Sequence, residues 1–382
     1  MIAKRIEQLA PSGIRQFFDL VLGMPEVISL GVGEPDFVTP WRIREKAITA
    51  LEEGQTSYTS NKGLFGLRKA IAAAIEKRHK VSYSPENEII VTVGVSEALD
   101  LALRALLDPG DKVIVVSPHF VAYPGLTECA GGRPLFLVTR PQDGFKIDLK
   151  ELKRLLAQKP KAVILNYPSN PSGVSYTRSE LKSIWRAISQ SGAIVISDEV
   201  YEELSYDVAH TCFASLDKEA RRRTILMNGF SKGYAMTGFR IGYACAEKEI
   251  IEAMNKIHSY SMMCAPIGAQ VAAIEALGCH NEVAAMVREY KRRRDFMHRE
   301  LNRIGLATHR PQGAFYFFSS VRKFGLPSMD FAKRLLMEEK VAVVPGTAFG
   351  QEYEGFLRMS YANSLENLKE AIVRMERFVK KI

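Results

Sequence analysis

Through the middle of the chain, short runs of β-branched and aliphatic residues alternate with longer stretches whose apolar residues recur every three to four positions. Glu88 to Val93 (EIIVTV), Lys112 to Ser117 (KVIVVS), Ala162 to Asn166 (AVILN), Ala193 to Ser197 (AIVIS), Thr224 to Asn228 (TILMN) and Ile241 to Ala244 (IGYA) are predicted strands. Their almost unbroken apolar character suits a sheet covered on both faces. Ser96 to Leu107 and Ser179 to Ser189 carry helical spacing between them. The alternation predicts an α/β fold with a mostly parallel central sheet covered by helices. After Gly278 the rhythm changes: a long charged helix from Asn281 to Arg303, an aromatic run at Gly313 to Phe318, a helix near Met329 to Glu339, the run Val341 to Gly346 and a last helix from Leu365 predict a smaller α+β domain. The N-terminal stretch, with Glu34-Pro35-Asp36, is too short and broken to fold alone. The expected division is a large α/β domain over residues 41–285 and a small domain made of residues 1–40 together with 286–382. No repeat period and no low-complexity stretch interrupts it.

At 382 residues, 47% hydrophobic and 25% charged, the composition is that of a globular protein and excludes disorder. No window approaches eighteen uncharged apolar residues, and Met1 to Glu7 runs into an amphipathic segment and not a signal-peptide core, so a cytoplasmic protein without a membrane partner is expected. Five widely spaced cysteines with no C-x-x-C argue against a disulfide framework and a structural metal. The formal net charge of +9 raises the question of nucleic acid. The basic runs Arg221-Arg222-Arg223 and Lys291-Arg292-Arg293-Arg294 come without interleaved aromatics or a groove-reading motif, however, and are expected to be solvated faces.

In an open parallel sheet, ligands sit beyond the carboxyl ends of the strands. After Val93 comes Gly94-Val95-Ser96, a glycine turn opening a helix whose free N–H groups and dipole favour a phosphate. After Leu165 comes Asn166-Tyr167-Pro168-Ser169-Asn170-Pro171, which holds Asn170 between two X-Pro pairs. After Ile196 come Ser197-Asp198 and then Tyr201, and after Met227 come Ser231-Lys232 with Arg240 eight residues on. Taken singly, each reads as an ordinary loop. Together they match one chemistry. A lysine amine forms a Schiff base with an aldehyde, a phosphate takes glycine N–H groups and an arginine, a pyridinium nitrogen takes a carboxylate, and a phenolate oxygen takes Asn and Tyr donors. Pyridoxal 5′-phosphate carries all four handles.

With these residues in view, the chain resembles the class I/II aminotransferases of the fold-type I pyridoxal phosphate enzymes over nearly its whole length, from Gly31-Val32-Gly33-Glu34-Pro35-Asp36 to Arg358-Met359-Ser360-Tyr361. The stretch Ser231-Lys232 through Ala235-Met236-Thr237-Gly238-Phe239-Arg240 is the most specific part, and the prokaryotic aromatic, aspartate and N-acetyl-diaminopimelate aminotransferases are the most similar branches. The resemblance implies that Lys232 forms the Schiff base and later relays the substrate α-proton to the cofactor C4′. It implies Asp198 on the pyridine nitrogen, with Asn170 and Tyr201 on the phenolate oxygen. Lys232, Asp198 and Tyr201 are then the catalytic set. Val95, Ser96, Ser231 and Arg240 would hold the phosphate, and Phe120 would stack on the ring. Tyr58 matches a tyrosine that reaches the phosphate of the neighbouring subunit, which implies a homodimer with shared sites. Arg358 matches the arginine that takes the substrate α-carboxylate in a planar two-donor grip, helped by Asn170 and the backbone at Gly33; the bland alternative is a surface arginine on an edge strand. Ser96 stands where one aspartate-specific branch has a lysine, Phe239 where tryptophan is frequent, and Ser172 where threonine is usual. His258, Tyr260, Met262 and Met263 fall where a partner subunit approaches the side-chain pocket, with core packing the blander expectation for each; Ser12-Gly13-Ile14 is a candidate cover over the substrate.

The implied reaction is a ping-pong transfer of an α-amino group from an L-amino acid, aromatic or aspartate type, to a 2-oxo acid such as 2-oxoglutarate. A C–S β-lyase or other elimination enzyme on the same scaffold is the nearest rival. A ligand-sensing regulator with this fold would need a DNA-binding segment, for which no room is expected before Gly31 or after the last helix. A nicotinamide enzyme built on Gly31-Val32-Gly33 fails because the third glycine is missing and the run meets Glu34-Pro35.

Overall fold

The computed structural model describes residues 2–7, 9 and 24–382; Ser12-Gly13-Ile14 lies outside them. Strand β1 (Ile28–Ser29) comes first, and the main sheet then gathers β2 (Ile89–Thr92), β3 (Lys112–Ser117), β4 (Arg133–Val138), β5 (Ala162–Asn166), β6 (Ile194–Asp198), β7 (Thr224–Gly229) and β8 (Gly242–Cys245). Their order is β2-β8-β7-β6-β5-β3-β4. Neighbours run parallel except at β8, which is antiparallel to both β2 and β7. The predicted strands all form, within a residue or two of their expected ends. The expected sheet lacked β4, whose burial is interrupted by exposed residues because it lies at the sheet's edge.

Strand periodicity divides the interior in two. Val113, Val115, Ala162, Ile164 and Ile196 join a core with the helices Gly94–Leu106 and Lys248–Ser261. The alternate residues Ile114, Val163, Leu165 and Val195 join a second core with the helices Leu149–Leu156 and Arg178–Ser189. Successive side chains of a strand point to opposite faces, so an unbroken apolar run fills both. The helix Arg178–Ser189 starts on a reciprocal Thr177/Glu180 capping box.

Beyond the helix Ile267–Ala276, the helix His280–Arg303 leads to a four-stranded antiparallel sheet. It contains β9 (Ala307–Thr308) and β10 (Tyr316–Ser320); after β11 (Val341–Ala342) come its other members, β12 (Val344–Pro345) and β13 (Phe356–Ser360). The order is β12-β13-β10-β9, and β1 pairs in parallel with β11. The N-terminal segment is thereby tied to the C-terminal part of the chain.

The two basic runs are not simply solvated, contrary to expectation. Tyr290, Arg293, Arg294, Met297 and Leu301 share the buried face of their helix. Arg294 is wholly buried, donating to Asp207 at 2.5 Å and to the Pro311 carbonyl at 2.9 Å, and Arg293 reaches Asp36 at 2.8 Å. A spacing of three to four residues puts these arginines on the apolar stripe, where carboxylates and carbonyls take their donors. Arg221 similarly pairs with Glu88 at 2.7 Å and also with Glu247, while Arg222 stays exposed. Among the described residues no helix is long and apolar enough to cross a membrane.

Candidate active site

The carboxyl ends of β5 and β6, the loop after β7, the start of the helix Gly94–Leu106 and strands β10 and β13 meet at a cavity of about 290 Å³. Of the expected residues, Gly33, Val95, Ser96, Phe120, Asn170, Asp198, Tyr201, Ser231, Lys232, Arg240 and Arg358 all line it. Tyr58 does not; it is 81% exposed on the surface.

Asp198 closes β6 and is buried. It accepts from the Tyr123 hydroxyl at 2.7 Å and from the Val200 N–H at 3.3 Å. Burial pushes its carboxyl up to about 6, against the pull of Tyr123 and of Lys232. Lys232 lies in the loop after β7, and its Nζ donates to the Gly33 carbonyl at 2.5 Å. Burial holds its amine down at about 8, opposed by Glu34 and reinforced by Arg358 and Arg240. A lysine in this range is in part a neutral amine near neutral pH, available to attack a carbonyl or take a proton. The Tyr201 hydroxyl meets that of Tyr316 at 2.8 Å.

Arg358 sits in the middle of β13, paired with Phe318 of β10 and Val344 of β12, and is only 2% exposed. The edge-strand reading is therefore excluded. Its Nη1 donates to the Asn170 side-chain oxygen at 3.3 Å, Nη2 donates to the Gly31 carbonyl, and the guanidinium lies 4.7 Å from the Tyr316 ring centroid. Its Nε is buried without a partner among the described residues. A planar cation with an unused donor fits a carboxylate arriving in the cavity.

At the far end, Val93 caps the helix Gly94–Leu106 without any side-chain hydrogen bond, and among the described residues the first-turn N–H groups are left free for an anion. Gly94 has φ +76°, and a Cβ built there would stand 2.8 Å from an Arg240 nitrogen. The glycine thus lets the guanidinium close over the turn. Lys232, Arg240 and Arg358 against one carboxylate, Asp198, make the cavity a focus for anions. The donor set fits pyridoxal phosphate: free amides and Arg240 for its phosphate, Asp198 for its ring nitrogen, Asn170 and Tyr201 for its phenolate oxygen, Lys232 for its aldehyde.

Asn166, Tyr123, Thr237 and Tyr316 also line the cavity and were not among the expected residues. Asn166 ends a strand already singled out; Tyr123, inside the helix Ala122–Cys129, and Tyr316 carried no signal beyond helical spacing and the aromatic run at 313–318. His258 is buried, whereas Tyr260 is 94% exposed and Met262 and Met263 are about half exposed, so core packing fails for the last three. Among the described residues, Glu199, Glu202 and His210 are close enough to hold a metal. Glu199 already accepts from Ser197, Tyr167, His210 and the Phe213 N–H, which leaves its oxygens spoken for.

The pattern of the family "Aminotransferase class I and II" matches residues 25–375. The chain is 49% identical to a putative aminotransferase of Bacillus subtilis, YugH, over 98% of this chain and 97% of that one. It is 43% identical to an aspartate aminotransferase of Pyrococcus abyssi, over 99% of this chain and 98% of that one. Among solved structures, an aromatic aminotransferase from Pyrococcus horikoshii superposes with a TM-score of 0.91 at 43% identity, covering 96% of this chain and 99% of that one. The chain belongs to the class I and II aminotransferase family and is a transferase, from a family that uses pyridoxal phosphate.

Proposed function

We propose that this class I and II aminotransferase holds pyridoxal 5′-phosphate in the 290 Å³ cavity and moves the α-amino group of an L-amino acid, aromatic or aspartate type, to a 2-oxo acid such as 2-oxoglutarate. The observation that carries this reading is the convergence of Lys232, Asp198, Asn170, Arg240 and Arg358 on one cavity from four separate parts of the chain. When bound, the cofactor supplies an aldehyde to receive the amine and a protonated ring that withdraws electrons from the substrate α-carbon.

The chain's residues do the rest. Arg358, backed by Asn170, grips the α-carboxylate and fixes the α-carbon before Lys232. Lys232 Nζ takes the α-proton; its depressed pKa keeps it able to accept one near neutral pH. Asp198 holds a proton on the ring nitrogen, and Tyr123 keeps its carboxylate aimed. Val95, Ser96, Ser231 and Arg240 hold the phosphate, Phe120 packs against the ring, and Tyr201 and Asn170 meet the phenolate oxygen. Donor and acceptor use one pocket in turn, so ping-pong kinetics are expected. Lys232, Arg240 and Arg358 are all committed to these tasks. An aromatic side chain needs no further cation, whereas an aspartate side chain needs one from outside this set.

The same proposal assigns residues 41–285 to a large cofactor-binding part and residues 1–40 with 286–382 to a smaller one, in a cytoplasmic homodimer. Support for the dimer comes from large exposed apolar residues: Trp41, Ile48 and Leu51 on one helix face, with Tyr58 and Tyr260. Tyr58 then reaches the phosphate of the partner's site.

The test is to load the purified protein with pyridoxal phosphate, record its absorbance, and add single L-amino acids without an acceptor. Stoichiometric 2-oxo acid together with pyridoxamine phosphate supports the proposal and ranks donors. Pyruvate and ammonia without pyridoxamine phosphate replaces it by a β-lyase, and no cofactor uptake overturns both.

A further inference from the structure

Behind the phosphate end of the cavity, and outside it, lies a histidine with no role in the scheme above. His258 is completely buried near the C-terminal end of the helix Lys248–Ser261. Its Nδ1 lies 2.7 Å from Oε1 of Glu97, while its Nε2 is buried without a hydrogen-bond partner among the described residues. A carboxylate can only accept, so Nδ1 carries the proton. The other oxygen of Glu97 accepts the Val93 backbone N–H at 2.5 Å. Val93 is the residue that caps the helix opened by Gly94, and Val95 and Ser96 in that first turn line the cavity. An unbroken chain of contacts therefore runs from the His258 ring through Glu97 to the turn that presents free amides.

Glu97 has an ambiguous position. It stands one residue beyond Ser96 in the helix's own first turn, where a carboxylate is attracted to unpaired N–H groups. Released, its side chain would compete with an incoming phosphate for those donors and would repel the phosphate charge. Held by His258 on one oxygen and by the Val93 N–H on the other, it is directed away from them. We infer that His258 is a positioning residue: by pinning Glu97 against Val93 it fixes the turn at Gly94 and keeps the amides of Val95 and Ser96 free for a phosphate. The inference rests on reading the cavity as a pyridoxal phosphate site.

The test compares two ligands that differ only in the phosphate, pyridoxal 5′-phosphate and pyridoxal, titrated into cofactor-free wild-type, H258L, H258Q and E97Q proteins and followed by absorbance and tyrosine fluorescence. Loss of the pin in H258L weakens pyridoxal phosphate about tenfold, the size expected when a hydrogen bond to an ionised group is removed, and leaves pyridoxal within about twofold. H258Q, whose amide can still donate to Glu97, recovers most of the affinity. E97Q lacks the carboxylate that a freed side chain would set against the phosphate, so H258L made in E97Q no longer weakens pyridoxal phosphate relative to E97Q; H258N, whose shorter amide does not reach Glu97, takes the place of H258L if that protein does not fold. Equal weakening of both ligands, or of neither, overturns the inference. A wild-type protein that takes up neither ligand overturns the reading of the cavity first, and this inference with it.

Discussion

Asp198 is held where its charge is least welcome. Its folded pKa of about 6 lies above the ordinary 3.8 because burial outweighs the Tyr123 hydrogen bond and the nearby Lys232. Between those two values the folded chain keeps a proton that the unfolded chain has lost, so stability falls as pH rises through the window and the penalty is complete above about pH 6. Asp198→Asn should therefore stabilise the cofactor-free protein by about 3 kcal/mol at pH 8 and by well under about 1 kcal/mol at pH 4, while weakening pyridoxal phosphate binding. Urea unfolding at the two pH values checks the first half; an equal gain at both would mean packing and not charge. Asp198, Lys232 and Asn170 were legible in the sequence because each follows a buried strand, where a polar group stands out. Arg358 needed the family resemblance, since an arginine among apolar strand residues does not announce what it faces. Tyr123 and Tyr316 were illegible: a tyrosine at helical or strand spacing looks like core until the fold brings its hydroxyl to Asp198 or Tyr201.

Among the elements, the turn into the helix Gly94–Leu106 carries the sharpest constraint. Gly94 and Gly54 both have positive φ, at +76° and +73°, but a Cβ at Gly54 meets nothing among the described residues while one at Gly94 meets Arg240. Both Gly54→Ala and Gly94→Ala should cost about 1 kcal/mol of folding stability from the left-handed backbone. Only Gly94→Ala should also weaken pyridoxal phosphate, through displacement of Arg240. Denaturant unfolding and ligand titration of the pair separate the two effects, and matched affinities would show that Arg240 tolerates the methyl group. The central strands were legible because residues buried on both faces leave a continuous apolar run. Strand β4 was not, since an edge strand needs only partial burial and tolerates its Arg133-Pro134 start. Nor was the reversal of β8, because side-chain pattern carries no strand direction. Arg293 and Arg294 misled for a related reason: charge was read as exposure, yet helical spacing had already put them on the inner face.

At the scale of the whole molecule, the N-terminal segment links the sheets through backbone carbonyls: Gly31 receives Arg358 from the small sheet, and Gly33 receives Lys232 from the loop after β7. The pairing of β1 with β11 anchors this segment, which no local pattern in residues 24–40 foretold. What the sequence did convey at this scale was the change of rhythm after Gly278, because a parallel and an antiparallel sheet are written with different burial.

The outward placement of Tyr58 has a genetic consequence. If this side chain serves the opposite subunit, a Tyr58→Ala lesion and a Lys232→Ala lesion carried on separate chains are not equivalent to the same two lesions on one chain. In a mixed pair, one active centre inherits both defects and the other inherits neither. Two alleles that are each crippled alone should then complement when co-expressed, restoring up to half of normal turnover per mixed pair, whereas the doubly mutated allele should complement neither parent beyond its own level. Absence of rescue in co-purified mixed pairs would mean that each subunit furnishes its centre alone.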